Sequence, residues 1–188
     1  MFREGPLFEQ FSQHAQVWAI LNQMMDKQYG KVLLEKSMLL EIQCSFCTSY
    51  ELFRAMEFCE CYELTESKMQ EWIRLLELHC TTCPEVPGMA RSECHAWSAL
   101  PMYEMIRAMG GIQLEKPGWE MVKIQPHLEY LPDLSGLAAT PKGDIKFHYY
   151  KENSEWKYEI TMPEGMQGVL ITEKGNVFEL KKGVHVYR

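Results

Sequence analysis

Up to about residue 112 the apolar residues recur at helical spacing, and beyond about residue 117 the period shortens to two. Phe8, Phe11, Ala15, Trp18 and Met25 fall three or four apart on one stripe, with Gln10, Gln13 and Gln16 off it. That pattern predicts an amphipathic helix facing a core and broken at Tyr29-Gly30. A second helix is predicted from Lys31 to Ile42, apolar on more than one side through Val32, Leu33, Leu34, Met38, Leu39 and Leu40. A third follows the connection from Cys44 to Cys47 and carries Tyr50, Phe53 and Met56. A fourth opens with Ser67 and Gln70 as a capping box ahead of Trp72, Ile73 and Leu76. A fifth begins near Ser98, tolerates Pro101 in its first turn and ends at Gly110-Gly111. Short connections between these segments favour antiparallel hairpins.

Past Pro117 the alternation is that of half-buried strands. Met121, Lys123 and Gln125 alternate with Val122, Ile124 and Pro126, and Ile145, Phe147 and Tyr149 alternate with Lys146, His148 and Tyr150. Further strands are predicted at Trp156–Ile160, Val169–Ile171, Val177–Leu180 and Val184–Tyr187, punctuated by turns at Pro163-Glu164-Gly165, Lys174-Gly175-Asn176 and Lys181-Lys182-Gly183. Strands so spaced predict a small antiparallel β-sandwich. The fold class is therefore α+β, with two domains expected at 1–112 and 113–188.

Composition narrows the function. A chain of 188 residues with 46% apolar and 24% charged residues is globular, and a net charge of -7 disfavours a nucleic-acid groove, which needs clustered Lys and Arg. No apolar run approaches the roughly 18 to 20 residues of a membrane span. The seven cysteines are an odd set, which fits a reducing compartment; the expected location is the cytoplasm. Cys44-x-x-Cys47 and Cys80-x-x-Cys83 have the internal spacing of structural zinc pairs. The 32 residues between Cys47 and Cys80 exceed the roughly 15 to 20 of a zinc ribbon, and free cysteines commonly serve as buried apolar residues, so no metal is assigned.

Candidate chemistry gathers at Thr81-Thr82-Cys83-Pro84-Glu85 and Cys94-His95-Ala96-Trp97-Ser98. A carboxylate can take a proton from water, an imidazole can bond hydroxyls, and an indole face can stack on the apolar side of a pyranose. From the residues alone, Glu85 reads first as a solvated surface side chain and His95 as a helix cap or a partner of a buried carbonyl, while Trp97 reads as a core residue as readily as a stacking platform. Arg91 is placed either to orient Glu85 or to sit in solvent, and Trp119, in Pro117-Gly118-Trp119, reads as packing.

The run from Arg91 to Pro126, with Gly110-Gly111-Ile112, Pro117-Gly118-Trp119 and Ile124-Gln125-Pro126, resembles the C-terminal end of the bacterial α-L-rhamnosidases of glycoside hydrolase family 78. Phe11–Gln16 and Thr48–Glu51 are similar to upstream segments of that family. The resemblance implies the last part of a six-hairpin α/α toroid, about five helices, followed by a terminal β-sandwich. It implies an inverting hydrolase of terminal α-L-rhamnose, with Glu85 as general base and His95, Trp97 and Arg91 as substrate-binding residues. No cofactor is implied. Nothing in residues 1–80 resembles the family's acidic general-acid segment, so the chain alone is expected to be inactive. The partners expected are a rhamnose-containing glycoside and either the remainder of the barrel or a second copy meeting an exposed barrel edge. Cys83 stands where the family usually has an aromatic residue, His79 where it has Gly, and Glu93 where it has Asp. The alternative is a noncatalytic helical and β-sandwich module that assembles with a partner chain or binds structural zinc through its cysteine pairs.

Overall fold

Short polar side chains start the first two helices of the computed structural model, which describes residues 1–88, 91–128 and 131–188. Ser12 caps α1 (Gln13–Leu21) by accepting from the Ala15 amide, and Asp26 caps α2 (Lys27–Ser37) by accepting from the Tyr29 amide. The following helices are α3 (Ser49–Phe58), α4 (Glu63–Glu77) and the single turn α5 (Pro101–Glu104), which runs on as a π-helical turn over Met105–Met109. The chain divides into two compact units, Met1–Met102 and Tyr103–Arg188.

In the first unit the polar pattern misleads at α1. Gln13 and Gln16, expected off the buried stripe, are fully buried, whereas Phe8 and Trp18 are exposed. The amides are inside because backbone satisfies them. Gln13 Oε1 accepts from the Cys44 amide at 2.9 Å, and Gln16 Nε2 donates to the carbonyls of Ser12 and Phe2 at 2.9 and 2.7 Å. Tyr29-Gly30 lies inside α2 and breaks nothing. A Cβ on Gly30 would stand 2.8 Å from Cys59 Sγ, so the missing side chain lets α2 approach the end of α3. The predicted capping box is likewise absent, since Ser67 and Gln70 lie within α4, which starts at Glu63 and carries acidic residues in its first turn and Arg74 in its last.

Three helices end alike. After α1, α3 and α4 the chain turns through Gln23, Glu60 and His79, all at positive φ (54°, 56° and 58°). In each case the next amide reaches back five residues along the chain, as Cys80 N does to Leu75 O at 2.9 Å. The core holds Ile20, Leu34, Phe46, Leu52, Phe53 and Met56. Trp72 of α4 packs on Phe46 with ring centroids 4.4 Å apart and donates its indole N–H to the Ser98 carbonyl at 2.7 Å. Lys68 is buried but satisfied, donating to the Cys44 carbonyl and to Glu71.

The second unit, among its described residues, consists of two four-stranded sheets. One has the order β1 (Ile112–Lys116), β2 (Met121–Ile124), β6 (Gln167–Ile171), β7 (Val177–Leu180). The other has the order β3 (Asp133–Ala138), β4 (Ile145–Glu152), β5 (Glu155–Met162), β8 (Gly183–Tyr187). Alternation puts Val122, Ile124, Leu170 and Leu180 of the first sheet and Phe147, Tyr149, Tyr158 and Ile160 of the second into one core, with Trp119 packed against it. The α+β class is that expected, but the sheets are not wholly antiparallel: β2 and β6 run parallel. Strands β1 and β3 were not legible in the pattern. The central Gly136 of β3 makes room for a ring, because a Cβ there would stand 2.5 Å from Phe147 Cζ. Asn153 and Ser154, both at positive φ, form the tight turn between β4 and β5.

Candidate functional site

The stretch after α4 folds back on itself, and two backbone bonds hold its arms together. Glu85 N donates to Ser92 O and His95 N donates to Cys83 O, each at 2.8 Å. Thr82 Oγ1 adds a bond to the Glu93 carbonyl, and Pro84 beside Glu85 is buried. Beyond His95 a short 3-10 turn, Ala96–Ser98, reverses the chain. Its hub is Ser98, fully buried, whose hydroxyl donates to the His95 carbonyl at 2.7 Å while its own carbonyl receives the Trp72 indole. The helical core thus fixes the His95–Trp97 turn.

The four residues singled out in the sequence come together on this scaffold. Arg91 Nη2 donates to Glu85 Oε1 at 2.8 Å. The Glu85 side chain is 16% exposed and that of Arg91 84%, so the carboxylate is sheltered and its partner is in water. An ion pair of that kind orients the carboxylate more than it stabilises the fold. Trp97 Nε1 donates to the Glu85 carbonyl oxygen at 3.0 Å, and the rings of His95 and Trp97 lie 4.0 Å apart, tilted by 39°. Trp97 is therefore not core: it is 41% exposed. His95 does not cap the turn with its side chain, and among the described residues its Nδ1 atom is buried without a hydrogen-bond partner. The cluster offers a carboxylate, a ring nitrogen with free bonding capacity and a partly open indole, which is the chemistry a polyhydroxylated ring requires.

Ser98 and Trp72 were missed as parts of this site. Trp72 reads in the sequence as an ordinary core residue of a helical stripe, and no spacing links it to Ser98, 26 positions on. The cysteines do not assemble. Among the described residues no group of three or more His, Cys, Asp or Glu side chains is placed to hold a metal ion. Cys44 and Cys61 are buried, and burial pushes their thiols up to about 11 and about 12. Neutral thiols of that kind act as small apolar side chains. Among the described residues no helix is long and apolar enough to cross a membrane.

Residues 111–184 match the family described as the bacterial alpha-L-rhamnosidase C-terminal domain. No curated protein matches the chain in sequence. In structure, the chain is similar to a GH78 family rhamnosidase of Bacillus sp. GL1, with a TM-score of 0.79 and 22% identity over 89% of this chain and 20% of that one. It is also similar to the α-L-rhamnosidase of Streptomyces avermitilis, solved with L-rhamnose, at a TM-score of 0.74 and 16% identity over 93% and 21% of the two chains. The α-L-rhamnosidase of Aspergillus terreus gives 0.73 and 15% over 94% and 24%. At such identities the likeness is one of fold, and this chain spans about a fifth to a quarter of the length of these enzymes.

Proposed function

We propose that this chain, which resembles the C-terminal part of the bacterial α-L-rhamnosidases over most of its length, is that part of an inverting enzyme removing terminal α-L-rhamnose from glycosides. Residues 1–112 are then the closing segment of the toroidal catalytic domain and 113–188 the terminal sandwich domain. Inversion uses one carboxylic acid to protonate the leaving oxygen and one carboxylate to activate water from the opposite face, roughly 6.5 to 9.5 Å away. Glu85 is the base, Arg91 turns one of its oxygens aside so that the other faces water, and His95 and Trp97 receive the sugar. The general acid and the helices that complete the ring come from the rest of the enzyme, and the rhamnoside is its partner. Alone, the chain turns over no substrate.

One observation carries this reading. Glu85, its carboxylate sheltered, is tied through its backbone carbonyl to the indole of Trp97, which lies against an imidazole with an unused ring nitrogen, in a chain with the rhamnosidase fold. The test is hydrolysis of p-nitrophenyl α-L-rhamnopyranoside by the intact enzyme carrying this sequence. Glu85→Gln should lower kcat by about 10²-fold to 10⁴-fold, with thermal unfolding unchanged. Parental activity in that variant would remove Glu85 from the mechanism.

A further inference from the structure

The sandwich unit carries an open cavity of about 550 Å³, lined by Lys116, Lys142, Lys181, Glu120, Gln167 and Met166 among others. We infer that it is a binding site for an acidic sugar, a hexuronate unit of a glycan chain. Lysines from three separate places line it: Lys116 at the end of β1, Lys142 in the turn before β4, and Lys181 in the turn between β7 and β8. Among the described lining residues only one carboxylate, Glu120, offsets them, in a chain whose net charge is -7. Positive charge gathered against the overall sign focuses an anion on one place.

The lysines also differ from their neighbours. Lys157, Lys174 and Lys182 of the same unit are held in ion pairs with Glu152, Glu155 and Glu164. Among the described residues, Lys116, Lys142 and Lys181 have no carboxylate partner, and Lys142 instead donates to the Gly165 carbonyl at the cavity edge.

The remaining lining selects a sugar over a bare anion. Glu120 repels phosphate or sulfate but accepts from hydroxyls, and the Gln167 amide both donates and accepts. Met166 is buried to 2% exposure and, with Met121, supplies an apolar floor for the C–H face of a pyranose. The volume falls within the roughly 300 to 1,000 Å³ of small-molecule sites, room for one or two sugar units.

Binding is read without hydrolysis, so this inference stands or falls apart from the rhamnosidase reading. Calorimetric titration of the full chain with digalacturonate, galactobiose and inorganic phosphate tests it. Digalacturonate should bind at least tenfold more tightly than either of the others and weaken as salt is raised. Lys116→Met and Lys181→Met should each weaken it at least tenfold, while Lys174→Met leaves it unchanged. In the unsubstituted protein the methyl resonances of Met121 and Met166 should shift on addition of digalacturonate, a readout that does not depend on any variant folding. Absent binding, equal affinity for galactobiose or phosphate, or unmoved Met121 and Met166 methyls would overturn the assignment.

Discussion

His79→Gly should stabilise the helical unit, although His79 makes the turn into the loop that bears Glu85. His79 follows the last turn of α4 at φ 58°, with its amide on Leu76 O and the Cys80 amide on Leu75 O, both at 2.9 Å. A left-handed residue other than Gly costs about 1 to 2 kcal/mol through the approach of its Cβ to the following carbonyl oxygen. Histidine is among the types that visit this region more readily than most, which lowers the cost. Glycine in turn loses about 0.5 to 1 kcal/mol more chain entropy on folding. The balance is a gain of up to about 1 kcal/mol. Urea unfolding followed by circular dichroism should show a higher midpoint at unchanged slope, and the melting temperature should rise by up to about 6 °C. His79→Ala keeps the Cβ and should bring no such gain. If Gly gave no higher midpoint than the parent, or Ala gave as much as Gly, backbone strain at residue 79 would not be the cause.

Trp72→Phe removes the donor to the buried Ser98 carbonyl and should cost about 2 kcal/mol in urea unfolding, while Glu85 keeps its bond from Arg91; a loss under about 0.5 kcal/mol would mean that the indole bond does not support the turn. Gly136→Ala puts a Cβ into the Phe147 ring and should destabilise the sandwich by about 1 to 3 kcal/mol, measured as a lower melting temperature. Iodoacetamide at mildly alkaline pH should label the exposed Cys47 and Cys94 first, with Cys44, Cys59 and Cys61 labelled only after unfolding, as mass spectrometry of digests would report. Because Cys44 and Cys61 are held protonated to about 11 and about 12, the folded state binds more protons than the unfolded chain above the ordinary thiol pKa of about 8.5. Stability should therefore be complete below that value and fall as pH rises through the window, and a Cys44→Ala, Cys61→Ala variant should show a shallower fall.

The sandwich was more legible than the helices. Strands β4 to β7 follow a two-residue alternation that burial obeys, down to the bounds of β7 at Val177–Leu180, whereas in β8 Val184 and Val186 are exposed. The misses have physical causes. Gln13 and Gln16 look like a solvated face because sequence does not show that the backbone at Phe2 and Cys44 will receive their amides. Asp-Leu-Ser-Gly-Leu-Ala of β3 lacks an apolar alternation because a neighbouring ring fills the place of its side chain at Gly136. The parallel pairing of β2 with β6 joins residues more than 40 positions apart, and no local period encodes it. At the site, Glu85, Arg91, His95 and Trp97 were visible as residue types suited to a sugar. What holds them, Ser98 beneath and Trp72 from another helix, depends on packing that only the folded chain brings about.

The parallel seam between β2 and β6 sets an order of events during synthesis. The β1–β2 hairpin leaves the ribosome early, yet its outer edge stays open until the whole β3–β4–β5 meander has been made and β6 arrives. Until then Val122 and Ile124 have no neighbouring strand on that side, and an open edge of this kind invites wrong pairings. The last strand, β8, then lies down beside β5 and covers the remaining flank. Interrupting translation between Ile124 and Gln167 would leave one half of the sandwich exposed, so the ripening of this domain waits on residues 167–187.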